Sequence, residues 1–126
     1  MEFRSITIEA AIHELNKSYF LPAIQREFRW GHQRIEKLFD SLMLDFPIGS
    51  FLFWNVGRDE ARESWTIYKF ICDYDEGNPH NPEATLLGAD SNIELVLDGQ
   101  QRLTAFYIGL QGSYKYFRWK WRQTKL

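Results

Sequence analysis

Cysteine is almost missing from this sequence. A lone Cys72 rules out an internal disulfide framework and a zinc site built from four cysteines, and it points to a reducing, cytoplasmic compartment. No apolar run approaches the roughly 20 residues that cross a bilayer, so no membrane contact is expected. The first residues carry Glu2 and Arg4 and no apolar core of a signal peptide. Histidine is scarce and scattered, at His13, His32 and His80, with no metal-ligand spacing; each reads as a surface or capping residue. Gly-Lys-Ser/Thr does not occur, which excludes a Walker phosphate loop. No Ser-His-Asp or Cys-His arrangement can be read from the chain. There is no internal repeat and no low-complexity tract.

What the sequence has in quantity is aromatic. Five Trp, six Tyr and ten Phe stand among 126 residues, enough bulk to fill the core of one domain. Charge is divided unevenly. Residues 113–126 hold Lys115, Arg118, Lys120, Arg122 and Lys125 and no acid, a net +5, which leaves −7 on residues 1–112. That end reads in two ways: a basic aromatic strip for a phosphate backbone, or a half-buried strand. Phe117, Trp119 and Trp121 alternate with Arg118, Lys120 and Arg122, and the alternation favours the strand. Residues 1–112 are expected to form the domain. Residues 113–126, which stop without a turn or closing element, are expected to be the start of a truncated continuation.

Periodicity predicts an α+β chain. Ile8, Ala11, Ile12 and Leu15 mark a helix over 7–17 with Thr7 as N-cap. Residues 19–24 are extended, because Pro22 blocks helix. A second helix spans 32–45, with Ile35, Leu38, Phe39, Leu42 and Phe46 on one face and Pro47 as its stop. Strands are predicted over 51–56, 65–73 and 93–97, with Cys72 a small core residue of the second. Gly, Pro, Asn and Asp make 74–92 a loop. Residues 100–111 form a third helix, with Leu103, Phe106, Tyr107 and Leu110 on one face and Gly112 as its stop.

Three segments hold polar groups that such elements do not require. In Val96-Leu97-Asp98-Gly99-Gln100-Gln101-Arg102-Leu103-Thr104, an apolar strand runs through Asp-Gly directly into a helix. A helix N-terminus offers unpaired N–H groups and a positive dipole end, Gly99 permits close approach, and Arg102 offers a donor fork; together they make a cradle for phosphate. Asp98 would repel a bare phosphate. It reads as a ligand for a bridging metal, as a group orienting Arg102, or as an N-cap. In Gln25-Arg26-Glu27-Phe28-Arg29-Trp30, Arg26 and Arg29 are within reach of an anion. Packing accounts for Phe28 and Trp30 better than base stacking does, but it leaves Gln25 and Arg26 unexplained. In Pro47-Ile48-Gly49-Ser50, Gly49 and Ser50 either donate to an anion or form a plain turn.

Taken together and in this order, Leu21-Pro22, Gln25-Arg26, Phe28-Arg29-Trp30, Asp40-Ser41, Phe46 to Ser50 and Leu97 to Thr104 resemble the N-terminal domain of GmrSD-type restriction enzymes. The resemblance runs from about Ser5 to Gly112. It implies a small mixed-sheet fold similar to ParB and sulfiredoxin, with helices packed around a short sheet. It also implies a nucleoside triphosphatase module of a prokaryotic system that restricts modified or foreign DNA, the cutting being done by a separate domain. By motif position, Asp98, Gln100, Gln101 and Arg102 would serve hydrolysis, with Asp98 on Mg²⁺. Gln25, Arg26, Gly49, Ser50, Gly99 and Thr104 would bind the nucleotide. Sulfiredoxin chemistry needs a cysteine where this chain has Gln, and is not expected.

Three functions follow as rivals: a nucleotide-hydrolysing regulatory domain of a restriction system, a non-catalytic module that holds nucleotide or DNA backbone, and an inactive fragment. In the first, Mg²⁺ bridges phosphates, Arg26 and Arg102 offset their charge, and Gln100 or Gln101 orients water. Contact with DNA would come through a longer protein or a partner nuclease domain. Gln25 and Arg26 are expected beside the motif from Asp98 to Arg102.

Overall fold

The structure, a computed structural model, describes residues 4–23, 27–46, 48–56, 66–84 and 93–115. The described residues form three helices, α1 (Ile8–Glu14), α2 (His32–Met43) and α3 (Gln100–Gln111). They also form six strands: β1 (Tyr19–Pro22), β2 (Leu52–Val56), β3 (Ile67–Tyr68), β4 (Asp73–Asp75), β5 (Ile93–Asp98) and β6 (Ser113–Lys115). The chain is α+β, as its periodicity predicts.

Four strands make one mixed sheet in the order β2-β5-β1-β3. Strand β5 runs parallel to β1 and antiparallel to β2, and β1 runs antiparallel to β3. Strand β1 is buried on both sides, which is why Tyr19-Phe20-Leu21 reads as a continuous apolar run and not as an alternation. Tyr19, Leu21 and Val96 face a core shared with Ala11, Ile12 and Leu15 of α1 and with Leu103 and Phe106 of α3. The opposite face carries Phe20, Val56, Ile67, Ile93 and Leu95. A third cluster, Phe28, Ile35, Ile71, Tyr74, Ala105 and Ile108, joins α2 and α3 to the two-stranded sheet of β4 and β6.

Helix α3 is therefore a shared wall. Leu103 and Phe106 face the main sheet, while Ala105 and Ile108 face α2. Small residues allow the close approach: the Phe39 ring lies where a Cβ on Gly109 would be, and Phe39 meets Phe106 edge to face at 5.7 Å.

The structure corrects several expected boundaries. Helix α1 stops at Glu14, not at 17, because Asn16 turns left-handed (φ 65°) and its amide grips the Phe70 backbone instead. Helix α2 stops at Met43, before any proline. Asp45 takes φ 61°, its N–H bonds Leu42 O, and the Phe46 N–H bonds Ser41 O, the two bonds of a Schellman close. Phe46 therefore leaves the helix face on which it was expected and is exposed. The strand expected over 65–73 is split. Cys72 lies in a bend between β3 and β4, half-buried, and β4 occupies the start of the predicted loop. On α3, Leu110 is exposed and Ala105 and Ile108 are buried in its stead. Gly112 does end α3, but with φ −129°; what selects glycine is the Cys72 carbonyl pressed against it. The alternation of Phe117, Trp119 and Trp121 lies outside the described residues, and residues 113–115 pair as β6 with β4.

Candidate functional site

Strand β5 ends at Asp98, Gly99 turns the chain, and α3 begins. Gly99 has φ 93°, a conformation L side chains rarely adopt, and the Phe51 ring fills the space that its Cβ would need. As the N-cap it supplies no side-chain acceptor, so the first N–H groups of α3 are left without a capping partner from it. The junction opens into a cleft of about 420 Å³ lined by Leu97, Asp98, Gly99, Gln100, Gln101 and Arg102 on one side and by Trp30 and Arg34 on the other. The helix dipole and Arg34 bring positive charge to this cleft, and Asp98 brings a carboxylate to it.

The second wall belongs to the segment before α2. Phe28 is buried against Tyr74 at 5.2 Å, so it is a packing residue. Trp30 is half-buried against the third cluster, its carbonyl accepts from Tyr114 Oη at 3.0 Å, and the Arg34 guanidinium lies 4.5 Å over its ring. Trp30 thus both anchors the start of α2 and presents a surface in the cleft. Arg34 was not singled out from the sequence. Its signal was there in the spacing: it stands four residues after Trp30, where two side chains meet along a helical start.

The motif side chains turn inward more than expected. Gln100 Nε2 donates to Val96 O at 2.8 Å, tying the helix back to β5. Gln101 bonds at both ends of its amide: Oε1 accepts from Arg29 N at 2.9 Å and Nε2 donates to Glu27 O at 3.1 Å. Arg102 donates from Nη1 to Ile48 O and from Nη2 to Ser50 O at 2.8 Å, with the Phe51 ring 4.6 Å beneath its guanidinium. Gly49 has φ 94°, and a Cβ there would come within 2.5 Å of Arg102 Nη1. So Gly49 and Ser50 do lie beside Arg102, but they meet it through backbone and do not line the cleft. Thr104 is 3 % exposed and its hydroxyl donates to Gln100 O; it faces the interior.

Asp98 is the exception. Its carboxylate is exposed on the cleft and makes no hydrogen bond or ion pair with any described residue, Arg102 included. Nor is it the N-cap, a place Gly99 takes. Among the described residues no group of three or more His, Cys, Asp and Glu converges. A Mg²⁺ held by one carboxylate and by phosphate oxygens suits such a site; an all-protein cation cage does not. Gln25 and Arg26 lie outside the described residues, although Glu27 and Arg29, their neighbours, are bonded to Gln101.

Titration is perturbed elsewhere. Burial, and then the Asp73 charge, push the Cys72 thiol up, and burial pushes the Tyr107 hydroxyl up. Cys72 Sγ faces Tyr107 O at 3.9 Å, at the far end of α3 from the cleft. A raised thiol is a weaker nucleophile, and the Cys72 carbonyl packs against Gly112 at the end of α3. Among the described residues no helix is long and apolar enough to cross a membrane.

Residues 8–125 match the family model of the GmrSD restriction endonuclease, N-terminal domain. Over 90 residues the chain is 38% identical to the uncharacterized protein MJ0686 of Methanocaldococcus jannaschii, which covers 71% of this chain and 14% of that protein. The chain spans about a seventh of the length of the relative it matches.

Proposed function

Because this chain belongs to the GmrSD restriction endonuclease N-terminal domain family, we propose that it is the nucleoside triphosphate-binding regulatory domain of a prokaryotic restriction system, acting in the cytoplasm. The observation that carries this reading is the N-terminus of α3, given no side-chain acceptor by its Gly99 N-cap, opening into a cleft that also holds Arg34, Trp30 and the Asp98 carboxylate, which has no partner among the described residues. Phosphates would sit against the first N–H groups of α3, with Arg34 offsetting their charge. Trp30 holds the Arg34 guanidinium over its ring at the edge of the cleft. Asp98 would hold a Mg²⁺ brought with the triphosphate, and the ion supplies charge neutralisation across the phosphates when bound. Gln100 Oε1, unpaired among the described residues, is left to orient a water. Arg102 adds its charge from behind the helix start while remaining on the two carbonyls. The ParB and sulfiredoxin type of architecture belongs to this reading, and so does DNA cleavage by other segments of a longer protein or by a partner.

Melting curves with ATP, GTP, CTP and UTP, each with and without Mg²⁺, test it. A nucleotide at about 100 times its Kd adds roughly 2.7 kcal/mol to the folded state, a clear rise in Tm. The rise should need Mg²⁺ and should be lost in Arg34→Ala and Asp98→Asn. An unmoved Tm across the panel overturns the reading. A second reading, a binding module without turnover, is favoured by the inward commitments of Gln101 and Arg102. Phosphate release on the same samples separates the two.

A further inference from the structure

We propose that Gln101 and Arg102 are positioning residues that act by gripping backbone: Gln101 holds the wall of the cleft that carries Trp30, and Arg102 supports the Gly99 turn through Phe51. The functional half of this rests on the nucleotide reading of the cleft; the grip itself rests on geometry alone. Segment 27–30 belongs to no strand or helix, yet it carries Trp30 and leads into α2. Gln101 offers it what a neighbouring strand would: an acceptor for Arg29 N and a donor for Glu27 O. A similar device stands outside the cleft lining, where Asn16 accepts from Phe70 N at 2.7 Å and donates to Phe70 O at 3.1 Å. An amide engaged at both ends is badly placed to orient a water.

Arg102 does for residues 48–50 what Gln101 does for 27–29. Its two terminal nitrogens take the Ile48 and Ser50 carbonyls on either side of Gly49. Glycine at 49 is required by both φ 94° and the nearness of Nη1. Phe51 packs under the guanidinium and into the space beside Gly99, so the Arg102 grip also supports the turn that starts α3. Two of the five N–H donors of Arg102 are spent on these carbonyls and the Phe51 ring covers one face of its guanidinium, so the grip fixes where the remaining donors can point. Two consecutive side chains of one helix thus hold segments about 20 residues apart in sequence, and the cleft lies between the start of α3 and the Trp30 segment that Gln101 holds.

Residue-resolved amide exchange on the 126-residue chain, without nucleotide, reads the grip directly. In Gln101→Ala the Arg29 amide should exchange about tenfold faster or more, the loss of one hydrogen bond, while Leu103, bonded to Gly99 O, keeps its protection. In Arg102→Gln the Phe51 ring resonances should move and Arg29 exchange should not. Calorimetry with the four Mg²⁺-nucleoside triphosphates should then show Kd weakened about tenfold in both variants, well below their melting temperatures. Should Gln101→Ala fail to fold, Gln101→Glu keeps an acceptor for Arg29 N and removes the donor to Glu27 O, and its Arg29 exchange should fall between wild type and an unbonded amide. Weaker Kd with unchanged exchange and ring shifts means direct contact and overturns the proposal. Faster exchange with unchanged Kd overturns it too, leaving a grip without functional consequence. If the wild-type chain binds none of the four nucleotides, the reading of the cleft fails by itself, and a protected Arg29 amide that Gln101→Ala releases still upholds the grip.

Discussion

Helices α2 and α3 have the same length and the same kind of start. Each spans 12 residues, and each follows a glycine N-cap that makes no side-chain capping bond. Beyond that they differ in almost everything. Helix α2 buries only Ile35 fully and turns a polar face to solvent, as an amphipathic surface helix does. Helix α3 buries Leu103, Thr104, Ala105, Phe106 and Ile108, because the main sheet lies on one side of it and α2 on the other. Gly31 has φ −74° and open space around its Cα, whereas Gly99 has φ 93° and the Phe51 ring against it. One helix covers the fold and the other is the fold's axis, and the candidate site stands at the start of the axis. That placement has a physical reason. Packing on two sides fixes the start of α3, as the proposed binding of phosphate by its N–H groups would need.

The strongest way to break the comparison is at the bodies of the two helices. Phe106 is 1 % exposed and Met43 is 84 % exposed. Phe106→Ala should cost about 3–5 kcal/mol, by lost transfer energy and the cavity left behind, and Met43→Ala within about 0.5 kcal/mol. Urea melts of both variants check this; similar midpoints would show that α3 is not the axis.

Sharper, and smaller, is the contrast at the caps. Gly99→Ala forces a Cβ into a left-handed residue and into the Phe51 ring, and should destabilise by about 1–3 kcal/mol while abolishing any nucleotide-induced rise in Tm. Replacing Phe51 by a smaller residue should recover little, since the backbone strain at φ 93° would remain. A double-mutant cycle with Phe51→Leu measures the steric share.

The smallest effect expected is at Gly31. Gly31→Asp gives α2 the side-chain acceptor it lacks and places a charge at the positive end of its dipole. Stability should rise by a few tenths of a kcal/mol, readable as a small increase in Tm. A loss of stability there would mean that the space around Gly31 is needed, and the two glycines would be less different than their surroundings suggest.

Much of this was legible in the residues, and the parts that were not share a cause. Thr7 as N-cap, the strand expected over 51–56 and found as Leu52–Val56, and the third helix follow from spacing and capping chemistry, which act within a few residues. The left-handed close of α2 at Asp45 was hidden, because an aspartate carries no sign of αL until the bonds from Asp45 and Phe46 are seen. The buried face of α3 was read as one stripe through Leu110, since periodicity reports one partner and α3 has two. At the site, the sequence located Asp98 to Arg102 at a strand-to-helix junction. It could not tell that Gln101 faces Glu27 and Arg29, or that Arg102 faces Ile48 and Ser50.

Local chemistry, then, was set by the sequence alone: most of the helices and strands, the Thr7 cap, and which family the motif string resembles. Only the tertiary structure decided what each motif side chain does. Hydrogen-bond partners separated by 52 to 74 residues are chosen by how the elements pack, and no pattern along the chain encodes that choice. Asp98 and Gln101 are both polar and adjacent to the same turn. Packing leaves the first facing the cleft without a described partner and closes the second onto backbone.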